Sequence, residues 1–194
     1  MAQKDETQES DEALADRVKR GENTAFDELV VRYEEKLLRY GRRFLARSED
    51  IEDSVQDVFL RAYMNMQSFK AGERFSPWIY RIAHNAFVNV LRKHAHRSFQ
   101  FIDFDTFISP LSATEELFTQ DELTALRLSI ESGLSKIDPK YREVLILHYF
   151  EELPYAEIAD ILQIPKGTVG VRLRRGREAL RLNESTLTQH YYGT

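Results

Sequence analysis

The sequence predicts an all-α fold: two small helical domains joined by a flexible acidic linker. Three observations carry that prediction. Apolar residues recur at spacings of three and four over 24–97 and again over 123–182, with no stretch that alternates as a half-buried strand would. Ser76-Pro77 and Asp138-Pro139 each pair a capping side chain with a proline in the first turn, where its missing N–H is harmless. Between the two patterned blocks, 98–126 holds six acids (Asp103, Asp105, Glu115, Glu116, Asp121, Glu122) and neither lysine nor arginine.

The elements follow in order. Residues 1–23 are assigned as a disordered N-terminal segment; the first twelve carry Asp5, Glu6, Glu9, Asp11 and Glu12 against Lys4 alone. A helix then runs from Thr24 to about Ala46, with Phe26, Leu29, Val30, Tyr33, Leu37, Tyr40 and Phe44 on its apolar side. Thr24 to Asp27 fits a capping box loosely. A second helix covers about 49–67, with Ser48 as its N-cap and Glu49, Asp50, Glu52 and Asp53 at its positive end. Its core stripe is Ile51, Val55, Val58, Phe59, Ala62 and Met66. After a loop from Phe69 to Phe75 that contains Gly72, a third helix spans about 76–97. Trp78, Ile79, Ile82, Ala83, Ala86, Val90 and Leu91 form its buried side, and Arg81, Asn85, Asn89, Arg92 and His96 a polar stripe. These three helices pack as the first domain.

The linker, 98–122, adds Phe99, Phe101, Phe104 and Phe107 to its acids and is broken by Pro110. From Leu123 the second domain packs Leu126, Ile130, Leu134 and Ile137, then Tyr141, Val144, Leu145 and His148. A short helix follows, with Ala156, Ile158, Ala159, Ile161 and Leu162 on its apolar side, and a break at Gln163-Ile164-Pro165. The next helix sets Val169, Leu173 and Leu180 on one side and Arg172, Arg174, Arg175, Arg177 and Arg181 around the rest. Two helices, a tight turn and an arginine-loaded second helix describe a helix-turn-helix. Guanidinium groups suit both the phosphate walls of a major groove and the edge of guanine. Residues 183–194 are assigned as a tail.

Composition narrows the class. At 42% hydrophobic and 30% charged the chain folds as soluble domains, and no apolar run approaches membrane-spanning length. The N-terminus lacks the basic-then-apolar order of a signal peptide, so the cytoplasm is the expected compartment and no membrane insertion is expected. Without cysteine neither disulfides nor thiolate metal sites can form, and His84, His94, His96, His148 and His190 make no ligand set. No metal and no cofactor is expected. The net charge of −5 hides strong segregation: 163–181 carries Lys166 and five arginines against Glu178 alone.

Three blocks narrow the function: DIEDSVQDVFLRAY at 50–63, FSPWIYRIAHN at 75–85, and PKGTV at 165–169 followed by RLRR at 172–175. In that order they resemble the bacterial RNA polymerase sigma factors, specifically the two-domain extracytoplasmic-function (ECF) group of the sigma-70 family. The likeness covers about 24–97, which it implies is sigma domain 2, and 123–182, which it implies is sigma domain 4. It implies that Asp53, Gln56 and Asp57, with Arg61 nearby, dock on core polymerase; helical spacing places them on one face. A solvated charged face is the ordinary reading of such residues. No catalytic partner surrounds these carboxylates, and no enzymatic activity is expected.

The third helix and the loop before it resemble the element that melts and reads the minus-ten promoter segment. Extruding a base costs a few kcal/mol, recovered by stacking and edge contacts. Phe69 and Phe75 mark the loop that would form the pocket, and Arg81, His84, Asn85, Asn89, Arg92 and Lys93 an exposed stripe along the helix. Phe75 fits pocket or core; Trp78 is assigned to the core. For the minus-thirty-five duplex the candidates are Lys166, Thr168, Val171, Arg172 and Arg175, with Arg174 and Arg177 gripping phosphates.

Several residues depart from the family pattern. Pro154 stands where a capping serine is common. Gln163 replaces a frequent turn glycine, at a cost of about 1 kcal/mol if its φ is positive. Gly170 and Val171 replace a polar pair, which alters the expected duplex sequence. The linker either threads the polymerase cleft, as the likeness implies, or is a spacer whose phenylalanines pack on the domains. An anti-sigma protein is a further partner the likeness implies. The rival is a stand-alone helix-turn-helix regulator binding an operator as a homodimer, which has no use for the 50–63 block. A helical interaction protein without DNA binding leaves the segregated arginines unexplained.

Overall fold

The computed structural model describes residues 9–45, 47–70, 72–95, 134 and 137–192. Among them every regular element is helical. The chain divides into two compact units, Met1–Gln100 and Phe101–Thr194. His96 and the predicted linker and domain start over 98–133 lie outside the described residues.

Among the described residues the first unit holds four helices where three were predicted: α1 (Asp11–Lys19), α2 (Asn23–Gly41), α3 (Ser48–Met64) and α4 (Phe75–Ala95), with a 3₁₀ turn over Met66–Ser68. Helix α1 corrects the expectation of disorder over 1–23, at least from Ser10 onward. The side chain of Ser10 accepts the N–H of Ala13, and Asp11 and Glu12 complement the positive end while Arg17 and Lys19 complement the other. Gly21, at φ +93°, ends the run. Leu14, Ala15 and Val18 are buried. Polar composition concealed a short amphipathic helix.

The acids of this segment are used inside the fold. Asp11 accepts hydrogen bonds from Arg32 Nη1 and from the Tyr33 hydroxyl, both at 2.6 Å. Burial, reinforced by that carboxylate, pushes the Tyr33 phenol well above its ordinary range. Glu12 Oε1 accepts the backbone N–H of Phe75 at 3.0 Å and so caps α4 from another helix. At the other end of α1, the Lys19 carbonyl accepts Gln67 Nε2 at 3.1 Å, and Lys19 Nζ lies 5.4 Å over the Phe69 ring. Helix α1 thus touches both ends of the loop between Phe69 and Phe75.

The core forms where α2, α3 and α4 meet. Tyr33, Leu37, Tyr40, Val55, Val58, Ala62, Ile79, Ala83 and Phe87 are buried there. Each large apolar side chain so placed contributes about 1.5–3 kcal/mol. Tyr40 anchors a ring cluster, with centroids 4.9 Å from Phe44, 5.3 Å from Tyr80 and 5.7 Å from Phe87. The predicted caps at Thr24 and Ser48 are absent: α2 starts at Asn23 and α3 at Ser48, neither with a side-chain cap bond.

The second unit contains α5 (Pro139–Leu145), which passes into a π-helical turn over Ile146–Phe150, then α6 (Tyr155–Leu162) and α7 (Lys166–Tyr192). Asp138 caps α5 by accepting the Lys140 N–H at 3.0 Å. Helix α7 runs on through the stretch assigned as a tail from 183, which holds neither glycine nor proline until Gly193. Val144, Leu145, Leu147, Ile158, Ile161, Val169 and Leu173 build this core. Gly176 lets α7 approach α5: a Cβ there would stand 2.9 Å from Leu145 Cδ1. No helix of the described residues is long and apolar enough to cross a membrane.

Candidate polymerase-binding and nucleic-acid interfaces

On α3 the sequence splits cleanly between inside and outside. Ile51, Val55, Val58 and Ala62 are buried, while Asp53, Gln56 and Arg61 are exposed and Asp57 is half-buried. Arg61 Nε donates to Asp57 Oδ2 at 2.7 Å, an i,i+4 pair on the open face. Leu60 and Met64 share that face and stay 58% and 72% exposed. Sequence reasoning named the polar members and missed these two. The signal was there: 53, 56/57, 60/61 and 64 are spaced at three and four, opposite the buried stripe. Tyr63 is also open, but its hydroxyl donates to Asn23 and its ring rests edge-on against Phe26.

The minus-ten candidates divide. Asn85, Asn89, Arg92 and Lys93 are exposed along α4, and Arg81 is half-buried on the same side. His84 is not part of that stripe. Spacing from Tyr80 to His84 to Phe87 turns it inward, where its Nδ1 lies 3.2 Å from the Tyr40 hydroxyl and its ring meets Phe44 edge-on. Burial, with a smaller push from Arg92, lowers its pKa to about 4, so the imidazole is neutral near pH 7.

Phe69 and Phe75 also move from site to core. They are 2% and 0% exposed and form a triangle of rings with Trp78, at 5.8, 5.4 and 5.6 Å. Aromatic side chains so enclosed have no face to offer a base. The reason is the unanticipated α1, whose Lys19 covers Phe69. The loop's outward residues are Lys70, Gly72 and Arg74, with Gly72 at φ +86° making the turn.

In the helix-turn-helix, α6 ends at Gln163 with φ +54°, the left-handed value that glycine adopts without cost. Its side chain offsets part of that strain: Nε2 donates to the Asp160 carbonyl at 2.6 Å. Pro154 stands at the N-cap of α6 and supplies no side-chain bond.

On α7, Lys166, Val171, Arg174, Arg175 and Arg177 are exposed, and Thr168 and Arg172 are half-buried. Arg175 Nη1 donates to the Tyr141 hydroxyl at 3.1 Å. Arg172 faces back toward α5. Burial raises the pKa of the Glu143 carboxyl, and the positive charges of Arg172 and Arg142 oppose that rise. Tyr141, read from sequence as a packing residue, thus holds Arg175, and Glu143, not singled out from sequence, lies within the field of Arg172. Among the described residues no three His, Asp or Glu side chains stand together as a metal site would need.

Helical bundles followed by an arginine-faced helix-turn-helix define a class of transcription protein, and comparison with known families narrows it. The sigma-70 region 2 model matches residues 29–97 and the sigma-70 region 4 model residues 127–180. The ECF RNA polymerase sigma factor SigW of Bacillus subtilis is 38% identical over 173 residues, covering 84% of this chain and 91% of its own. The RNA polymerase sigma-H factor of Pseudomonas aeruginosa is 33% identical, with 90% and 93% covered. The chain belongs to the ECF RNA polymerase sigma factors, which direct polymerase to promoters, and the stand-alone regulator is not favoured.

Solved structures agree in fold. CnrH, in complex with the cytosolic domain of CnrY, superposes with a TM-score of 0.70 at 24% identity, covering 92% of this chain and 99% of its own. The Bartonella quintana sigma factor RpoE, in complex with the anti-sigma factor NepR, gives 0.61 at 22% identity, covering 82% and 96%.

Proposed function

We propose that the protein binds core RNA polymerase through the open face of α3 and reads promoter DNA with α4, the loop before it, and α7. The observation that carries this reading is the stripe Asp53, Gln56, Asp57, Leu60, Arg61 and Met64. It combines charge, amide and uncovered apolar surface on a helix whose opposite side already serves the core. An apolar centre with a polar rim is the anatomy of a protein interface.

Asn85, Asn89, Arg92 and Lys93, with Arg81 beside them, contact the opened minus-ten strand; asparagine both donates and accepts, and the cations hold phosphate. His84, Phe69 and Phe75 support this surface from within. Lys166, Thr168, Val171, Arg172 and Arg175 meet the minus-thirty-five duplex, with Arg174 and Arg177 on phosphates. The domain limits follow at 24–97 and 123–182, with α1 added to the first. The protein brings no catalytic chemistry, acts in the cytoplasm beside the polymerase, and is held in check by an anti-sigma protein that covers these faces.

The test uses purified full-length protein and core polymerase. Wild-type protein co-elutes with core and yields promoter-dependent transcripts. D53A/Q56A/D57A weakens co-elution at least tenfold with an unchanged melting temperature. Full co-elution of the triple variant would overturn the docking assignment.

A further inference from the structure

The outward side of α7 is unusual in what it lacks. Gly167, Val171, Arg174 and Arg175 fall together on it, opposite the buried Val169, Leu173 and Gly176. Gly176 has a packing reason, since Leu145 leaves no room for a Cβ. The other two glycines have none. A Cβ at Gly167 would meet nothing within 4 Å, and one at Gly170 only Tyr155 Cε2, at an ordinary 3.7 Å. Neither has the positive φ that calls for glycine. Gly170, inside the helix, costs about 1 kcal/mol relative to alanine, and Gly167, in the first turn, costs less. Val171, 44% exposed, stands between them and the arginines. It is a β-branched residue left nearly half open to solvent, and below optimum for a helix.

A surface of bare backbone, one branched apolar side chain and a following pair of cations matches one feature of duplex DNA. In the major groove the apolar landmark is the C5-methyl of thymine, beneath phosphate walls that take the cations. Glycine lets the start of a recognition helix sit deep, as side chains there would hold it off. Valine cannot exchange hydrogen bonds with a base edge, so it discriminates by methyl contact and by leaving the cytosine amino group unpartnered.

We propose that Val171 reads a thymine methyl in the duplex bound by α7, with Gly167 and Gly170 permitting the approach. This rests on the DNA-reading role given to α7 above and specifies its ligand.

The experiment uses holoenzyme assembled from core polymerase and the full chain. It selects binders from duplexes randomised upstream of a fixed downstream segment. The enriched duplex is remade with deoxyuridine replacing each thymine in turn, which removes one methyl and keeps base pairing. One position is expected where that change weakens binding about fourfold, the factor for burying one methyl-sized group. V171S is expected to erase the difference at that position while retaining the wild-type melting temperature. Enriched duplexes indifferent to every replacement, or V171S keeping the full difference, would overturn the valine contact alone. No enrichment by wild-type holoenzyme would overturn the role of α7 on which it rests.

Discussion

The carboxylate of Glu12 accepts the backbone N–H of Phe75 at 3.0 Å across 63 residues of sequence, so one helix caps another. The first turn of a helix carries N–H groups with no partner of their own, and a lost cap costs about 1 kcal/mol. E12A is expected to lower stability by about 1–2 kcal/mol, and E12Q by less because its amide oxygen still accepts. Urea unfolding followed by the fluorescence of Trp78, the one tryptophan, reads the first unit directly. Equal midpoints for E12A and wild type would remove Glu12 from this role.

Acid should weaken the first unit through His84. Its folded pKa of about 4 lies below the ordinary 6.5, so the unfolded chain takes up the proton first. The stabilisation it gives is whole above about pH 6.5 and drains away as pH falls through about 4. Replacing the ring by H84F should flatten this part of the stability profile between about pH 6.5 and about pH 4. Parallel profiles for the two proteins would contradict the half-buried neutral imidazole.

The turn of the helix-turn-helix stores strain at Gln163. Q163G relieves the left-handed backbone but loses the bond to the Asp160 carbonyl. The two effects leave a gain of about 0.5 kcal/mol, read as a higher melting temperature of the second unit. A drop would mean that the side-chain bond outweighs the strain.

Glycines on opposite sides of α7 should respond oppositely to alanine. G176A forces Leu145, 1% exposed, to shift and is expected to cost about 1–3 kcal/mol. G167A meets open space in the first turn of α7 and should stabilise by about 0.5 kcal/mol. Circular-dichroism melting of both variants checks the pair; a loss of stability at both positions would place Gly167 in the packing.

The strongest periodic patterns translated directly into structure. The stripe of α3 and the second helix of the helix-turn-helix were legible because burial on one side dictates residue type at every third or fourth position. Where reading failed, a partner distant in sequence decided the outcome. Ser10, Leu14, Val18 and Gly21 spell a capped amphipathic turn pair, but abundant acids masked it, and nothing local shows that Glu12 serves α4. Phe69, Phe75 and His84 looked available because the helix and ring cluster that enclose them are assembled from 10–20 and from Tyr40 and Phe44. Leu60 and Met64 were passed over because exposed apolar residues announce themselves only once the core is known.

The way α1 holds the loop from Lys19 at one side and Glu12 at the other bears on how fragments should be cut. An expression boundary drawn at residue 29, where the region 2 match begins, would discard both anchors and lay Leu14's hydrophobic seat open to water. A fragment meant for crystallisation or labelling should therefore begin ahead of Glu9, whose carboxylate still grips Arg17.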